Sequence, residues 1–183
     1  NVHYHNKNLN FRLSHMYKDV SEEIVMGLIQ SLLVKVFKSK QTTMNMELYE
    51  KFIKSLQKYT NANESDPVLE QSFERVNRKY FNSFMDKPNL TWGCGLTKLG
   101  SYEYGTDTIS ITRILKDEPN FLDYVMYHEM LHKKHQFHTK NGRSFHHTRL
   151  FRQKEKEFED KDVEQKLKKF LRNKKLRKLL KFW

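Results

Sequence analysis

"YHEMLHKKHQFHTKNGRSFHHTRLF", Tyr127 to Phe151, decides how this chain is read, because it holds six of the nine histidines. Within it His128, Glu129 and His132 form H-E-x-x-H. Residues four apart in a helix stack one turn above another, so two imidazoles at that spacing reach one ion with the carboxylate beside them. A zinc ion held this way with one open position lowers the pKa of its water toward about 7, and the carboxylate can take the proton as a polarised carbonyl is attacked. The implied chemistry is peptide hydrolysis. The alternative is a solvent-facing helix that happens to be rich in His and Glu. Against it, "EPNFLDYVMYHEMLHKKH" carries Phe121, Val125, His128 and His132 on one face, so the histidines continue a buried stripe where unpaired imidazoles are costly. Asn120 is the expected N-cap of this helix, with Asp123 three residues on.

A catalytic zinc of this type takes a third protein ligand, and the downstream candidates are His135, His138, His146, His147 and Glu155. His138 lies ten residues after His128, as in H-E-x-x-H-x-x-G-x-x-H, but His135 stands where that pattern needs its turning glycine. All seven methionines lie at or before Met130, which excludes the class defined by a downstream methionine turn. "HHTRLFRQKEKEFED" reads as a second helix with His147, Leu150, Phe151 and Phe158 on one face and Lys154 snorkelling outward. His146 is rotated about 100° off that face. A turn at Asn141-Gly142 folds this helix back toward the first, which favours His147 as the third ligand. Glu155, about 80° from His147 by helical count, is the runner-up. His135 and His138 read as polar helix-end or loop residues.

Upstream of the motif, four of the six glycines fall between Gly93 and Gly105. "NLTWGCGLTKLGSYEYGTDTISITRIL" therefore reads as strands joined by tight turns, with Ile109 and Ile111 alternating against polar neighbours and "YGTDT" as a hairpin connection. Earlier still, Leu9, Phe11 and Leu13 alternate as in a strand over Asn8 to His15. A helical stripe from Ile24 to Phe37, with Asp19 and Glu22 as its capping box, is expected to be the most buried helix. Two more helices run through Leu48, Tyr49, Phe52, Ile53 and Leu56, and through Leu69, Phe73, Val76, Tyr80 and Phe84. The polar stretch "TNANESDP" separates them. The fold class is α+β.

At 183 residues with 37% apolar content, thirteen Phe and nine Tyr, the chain fits a single folded domain. The lone Cys94 excludes an intrachain disulfide, and with no apolar-cored leader the expected compartment is the reducing cytosol. No apolar run approaches the roughly 18 residues that span a bilayer. Of the net charge of +12, Lys161 to Trp183 contributes +8 from ten Lys and Arg against two acids. That asymmetry points to nucleic acid, an anionic surface or an acidic partner, with a plainly solvated Lys-rich helix as the alternative. Val163, Leu167, Phe170 and Leu171 share one side of this segment, whereas Leu176, Leu179, Leu180 and Trp183 share nearly the opposite one. A break between Arg172 and Lys175 is expected, leaving "KKLRKLLKFW" as a basic amphipathic piece.

"HEMLH", followed nineteen residues after its first His by "HTRLF", resembles the SprT-like (Spartan-like) zinc metallopeptidases. Their pattern is HExxH, a variable loop, and a third His four residues before a Phe. The resemblance covers Val68 to Phe158. It departs at Thr148, where the family often has Gly, and in lacking a downstream Cys-rich ribbon. It implies a zincin-like fold, a small antiparallel sheet packed with helices, and an edge strand beside the metal on which an extended peptide can add. It also implies His128, His132 and His147 as zinc ligands and Glu129 as general base. The expected organisation is a metallopeptidase domain over 1–160, with 1–60 unassigned to the family and 68–158 its core, followed by the basic tail 161–183. Family members that cut proteins crosslinked to DNA act where nucleic acid is held nearby, which makes Lys166 to Lys181 candidates for phosphate contacts and implies a nucleoid or nuclear association if DNA is bound. Tyr102, Tyr104 and Arg149 are the candidates for stabilising an oxyanion. The rival reading is a non-catalytic zinc-containing module that binds nucleic acid or protein through the tail.

Overall fold

The apolar face of helix α4 (Pro119–His135) organises the core: Leu122, Val125, Met126, Met130 and Leu131 are almost wholly removed from water. The structure is a computed structural model, whose described residues are 2–5, 8–56, 65–95, 98–140 and 143–180, without the side chains of 16, 138–144 and 175–180. Against α4 lies a three-stranded sheet made of β3 (Asn89–Gly93), β4 (Gly100–Glu103) and β5 (Thr108–Thr112), in the order β3-β5-β4. Ile109 and Ile111 of β5 point into the core, as their alternation predicts. The sheet is mixed rather than wholly antiparallel. The hairpin through "YGTDT" pairs β4 and β5 antiparallel, while β3 runs parallel to β5 because the chain returns to the same end of the sheet before starting β5.

Helix α3 (Pro67–Tyr80) packs on α4 through Leu69, Phe73 and Val76. Asp66 caps it by accepting the Val68 N–H at 2.9 Å, and Pro67 loses nothing at the first helical position. Phe84 falls beyond its end and is 88% exposed, since the chain leaves the helix through Asn82 and Ser83, both at positive φ. Pro119 likewise opens α4, with Glu118 rather than Asn120 at the cap. Asp123 serves elsewhere: it accepts from Ser72 at 2.6 Å and from Arg75 at 2.7 and 2.9 Å, fixing the α3–α4 crossing.

The N-terminal hairpin of β1 (Val2–His5) and β2 (Asn8–Phe11) precedes α1 (Glu22–Phe37) and α2 (Met44–Leu56), which pack chiefly on each other. Helix α1 is not the most buried. Only Gly27, Leu28 and Val34 are removed from water, because one helix covers a single face of a broad apolar stripe. Its cap is Ser21, not an Asp19–Glu22 box. A Cβ on Gly27 would lie 1.9 Å from the Asn45 carbonyl oxygen, so only glycine allows this crossing.

After α4 come the short hairpin β6 (His138–Lys140) and β7 (Arg143–Phe145), then α5 (Arg149–Glu155) and α6 (Val163–Leu180). The turn at Asn141-Gly142 lies outside the described residues. Helix α6 runs unbroken past Arg172. Its second half contains no Gly or Pro, and helix formers such as Lys, Leu and Arg sustain a helix without a continuous apolar face. Val163 and Leu167 dock on the core. No helix among the described residues is long and apolar enough to cross a membrane.

Candidate active site

Helix α4 presents His128 and His132 one turn apart, and the chain brings His147 to them from just before α5. The Nε2 atoms of His132 and His147 lie 3.2 and 3.3 Å from Nε2 of His128, and one ring nitrogen from each residue lies within 4.8 Å of the others. Nitrogens that share a tetrahedral zinc at about 2.0–2.1 Å stand about 3.3–3.4 Å apart, so the donor set fits such an ion. Phe151, fully buried, lies under all three rings at centroid distances of 5.1, 4.6 and 4.9 Å. That contact is the physical content of a histidine four residues before a phenylalanine. His147 is not itself helical. Thr148 is the N-cap of α5, its hydroxyl accepting from the Phe151 N–H at 3.2 Å, which accounts for threonine at this position.

The electrostatics of the cluster favour neutral imidazoles at two of its three positions. Burial, then the neighbouring His128 and His147, push the His132 ring down to about 3. Burial and His128 also lower His147. At His128 burial disfavours the charge, but the hydrogen bond to Glu155 and the nearby carboxylates outweigh it and raise the ring above its usual value. Glu155 accepts from Nδ1 of His128 at 2.5 Å, and this bond holds its carboxyl below the usual range. By helical count Glu155 diverges from His147 and is only the runner-up for the ion. It reaches His128 from the other end of α5 instead.

Glu129 is 5% exposed, and burial pushes its carboxyl up to about 7 against the opposing influence of His128, Lys98 and the Tyr102 N–H. It lies against Gly100, the first residue of β4. A Cβ there would fall 2.5 Å from Glu129 Oε1 and 2.8 Å from Val125 Cγ1. Gly100→Ala is therefore expected to destabilise the fold by about 1–3 kcal/mol and to displace Glu129, read as a lower melting temperature together with lost cleavage. An alanine variant with native stability and activity would contradict this packing.

Strand β4 is an edge strand, with no partner beyond it among the described residues. With the histidine cluster it bounds a cleft of about 560 Å³ into which Gly100, Ser101, Tyr104, His146 and Arg152 also open. A buried network fixes this edge against α4: Asp107, at φ 44°, accepts from Tyr102 Oη at 2.7 Å and from Lys133 Nζ at 2.5 and 2.7 Å. Tyr102 also lines the cleft, but its hydroxyl is engaged by Asp107. Tyr104 donates to the His132 carbonyl at 3.3 Å. Arg149 is exposed on the first turn of α5 and does not line the cleft; Arg152, one turn on, does. His146 lines the cleft with its ring 6.1 Å from that of His132, outside the close group of three. His135 ends α4, and His138 begins β6. Gly100, Arg152 and the Glu155 contact are absent from the sequence reading, and no local spacing signals them.

No curated protein is significantly similar to this chain in sequence. Among solved structures, jannalysin, a metallopeptidase zymogen of Methanocaldococcus jannaschii, superposes with a TM-score of 0.45 at 15% identity, covering 63% of this chain and 96% of that one. The SprT-like family model matches residues 69–169, more than half of the chain, spanning the sheet, α4, the histidine cluster and the start of α6. The chain belongs to the SprT-like family.

Proposed function

We propose that this chain is a zinc-dependent endopeptidase in which His128, His132 and His147 hold the metal and Glu129 is the general base. The observation that carries this reading is the spacing of three imidazole nitrogens at 3.2 and 3.3 Å next to a buried carboxylate, in a cleft open to an edge strand. When bound, zinc supplies Lewis acidity, polarising a peptide carbonyl and making water acidic near neutral pH. Glu129 takes a proton from the attacking water and returns it to the leaving amine nitrogen. In the metal-free protein burial holds its pKa at about 7, and a cation beside it would favour the carboxylate form that a base requires. An extended substrate adds to the free edge of β4, so its main chain is held by strand hydrogen bonds and the scissile bond lies across the cluster. A non-catalytic module would have no use for a carboxylate kept dry at energetic cost.

The same proposal extends to proteins held on nucleic acid. Lys168, Lys169, Arg172 and Lys174 are exposed on α6, within the Lys166 to Lys181 run. A surface of that charge contacts phosphates, and its DNA affinity falls steeply with salt. The test is cleavage of an unstructured protein. Chelation is expected to reduce it to background, and one equivalent of zinc to restore it. Cleavage that persists in metal-free protein would overturn the reading.

A further inference from the structure

We infer that Glu155 is the positioning carboxylate of the metal centre, an inference that rests on the three-histidine reading above. His128 is gripped by the two ends of one short helix. Helix α5 has seven residues and so spans about 10 Å. His147, two residues before its first turn, faces Nε2 of His128 at 3.3 Å, and Glu155, its last residue, faces Nδ1 at 2.5 Å. An imidazole whose Nδ1 proton is accepted by a carboxylate carries its lone pair on Nε2, the atom aimed at the other two histidines.

The placement of Glu155 is built rather than incidental. Tyr127 donates to the Lys154 carbonyl at 2.6 Å, fixing the last turn of α5 to α4. Phe151 and Phe158 are buried on either side of that turn. Behind the carboxylate, the Tyr124 hydroxyl lies 3.4 Å from Glu155 Oε1 and 3.1 Å from Glu164 Oε1 on α6. Glu155 and His128 are each largely shielded, with side chains 20% and 25% exposed. Glu155 therefore sets the tautomer and orientation of His128 without reaching the ion itself.

The test is zinc affinity, measured by chelator competition, together with the ring-proton NMR spectrum of the zinc-loaded protein. Glu155→Gln is expected to weaken zinc binding about 10–100-fold, the range for substitution of an outer partner of a ligating histidine. The slowly exchanging His128 Nδ1 proton should shift or vanish. Glu157→Gln, which alters an exposed ion pair with Lys154 on the same turn, should change neither readout. Circular dichroism of Glu155→Gln and of the shorter Glu155→Asp checks that α5 persists. With a native fold in either variant, unchanged affinity and an unchanged Nδ1 signal would overturn the inference, leaving the contact a plain ion pair. Complete loss of zinc, as for removal of a ligand, would overturn it in the other direction. Zinc bound by the three histidines without cleavage would refute the peptidase reading while leaving this inference standing.

Discussion

Glu129→Gln is expected to retain zinc and to lose cleavage of an unstructured protein by about 10²–10⁴-fold, the contribution of a positioned general base. Glutamine fills the same space against Gly100 and Val125, so the packing of β4 on α4 is preserved, but it cannot take a proton. The substitution also has a signature in stability. The folded-state pKa of Glu129 is raised from 4.5 to about 7, so its neutral form stabilises the fold below the unfolded value, and that stability is lost as pH rises through about 7. Metal-free Glu129→Gln should therefore match the wild type near pH 4 and exceed it at pH 8 by up to about 3 kcal/mol, read from denaturant titrations. A variant that still cleaves, or one whose advantage does not grow with pH, would separate Glu129 from the role assigned to it.

The second large effect is expected at His147. It is exposed and lies outside any helix, so His147→Ala costs the fold little. In the proposed site it would remove one of three donors, and zinc affinity should then fall by well over the roughly 100-fold that an outer partner costs. Zinc should raise the wild-type melting temperature, because a ligand present at 100 times its Kd stabilises the native state by about 2.7 kcal/mol. That increment should disappear in the variant while the metal-free melting temperatures agree. Zinc-dependent stabilisation that survives in His147→Ala would remove this residue from the donor set.

What the sequence disclosed follows from periodicity. The i, i+4 repeat placed His128 and His132 on one helix face, and the alternation through Ile109 and Ile111 placed a strand. Both features are local and need no knowledge of the partner surface. His147 is favoured by the apolar face it shares with Leu150, Phe151 and Phe158 and by the turn that folds this segment back, and its four-residue spacing to Phe151 corresponds to a contact beneath the three rings. The same helical count misplaced His147 inside α5, because a Thr that caps a helix cannot be told by periodicity from one within it. It also ranks Glu155 only as a runner-up for the ion and gives no sign of its bond to His128, since angles around one helix say nothing of a residue on another helix that meets its far end. Gly100 carries no pattern at all; its meaning lies in the carboxylate packed on it from α4. Burial misled at α1, where a broad apolar stripe meets one neighbouring helix and stays half exposed, and at α6, where opposed apolar clusters suggested a break that helix propensity does not require.

The most direct test of the central claim is diffraction at the zinc absorption edge on crystals of the native protein. A single anomalous peak is expected, bound by Nε2 of His128, His132 and His147, with its remaining position occupied by no protein atom. A peak that includes Glu155 or a fourth side chain among its ligands, or zinc-soaked crystals with no peak between α4 and His147, would contradict it.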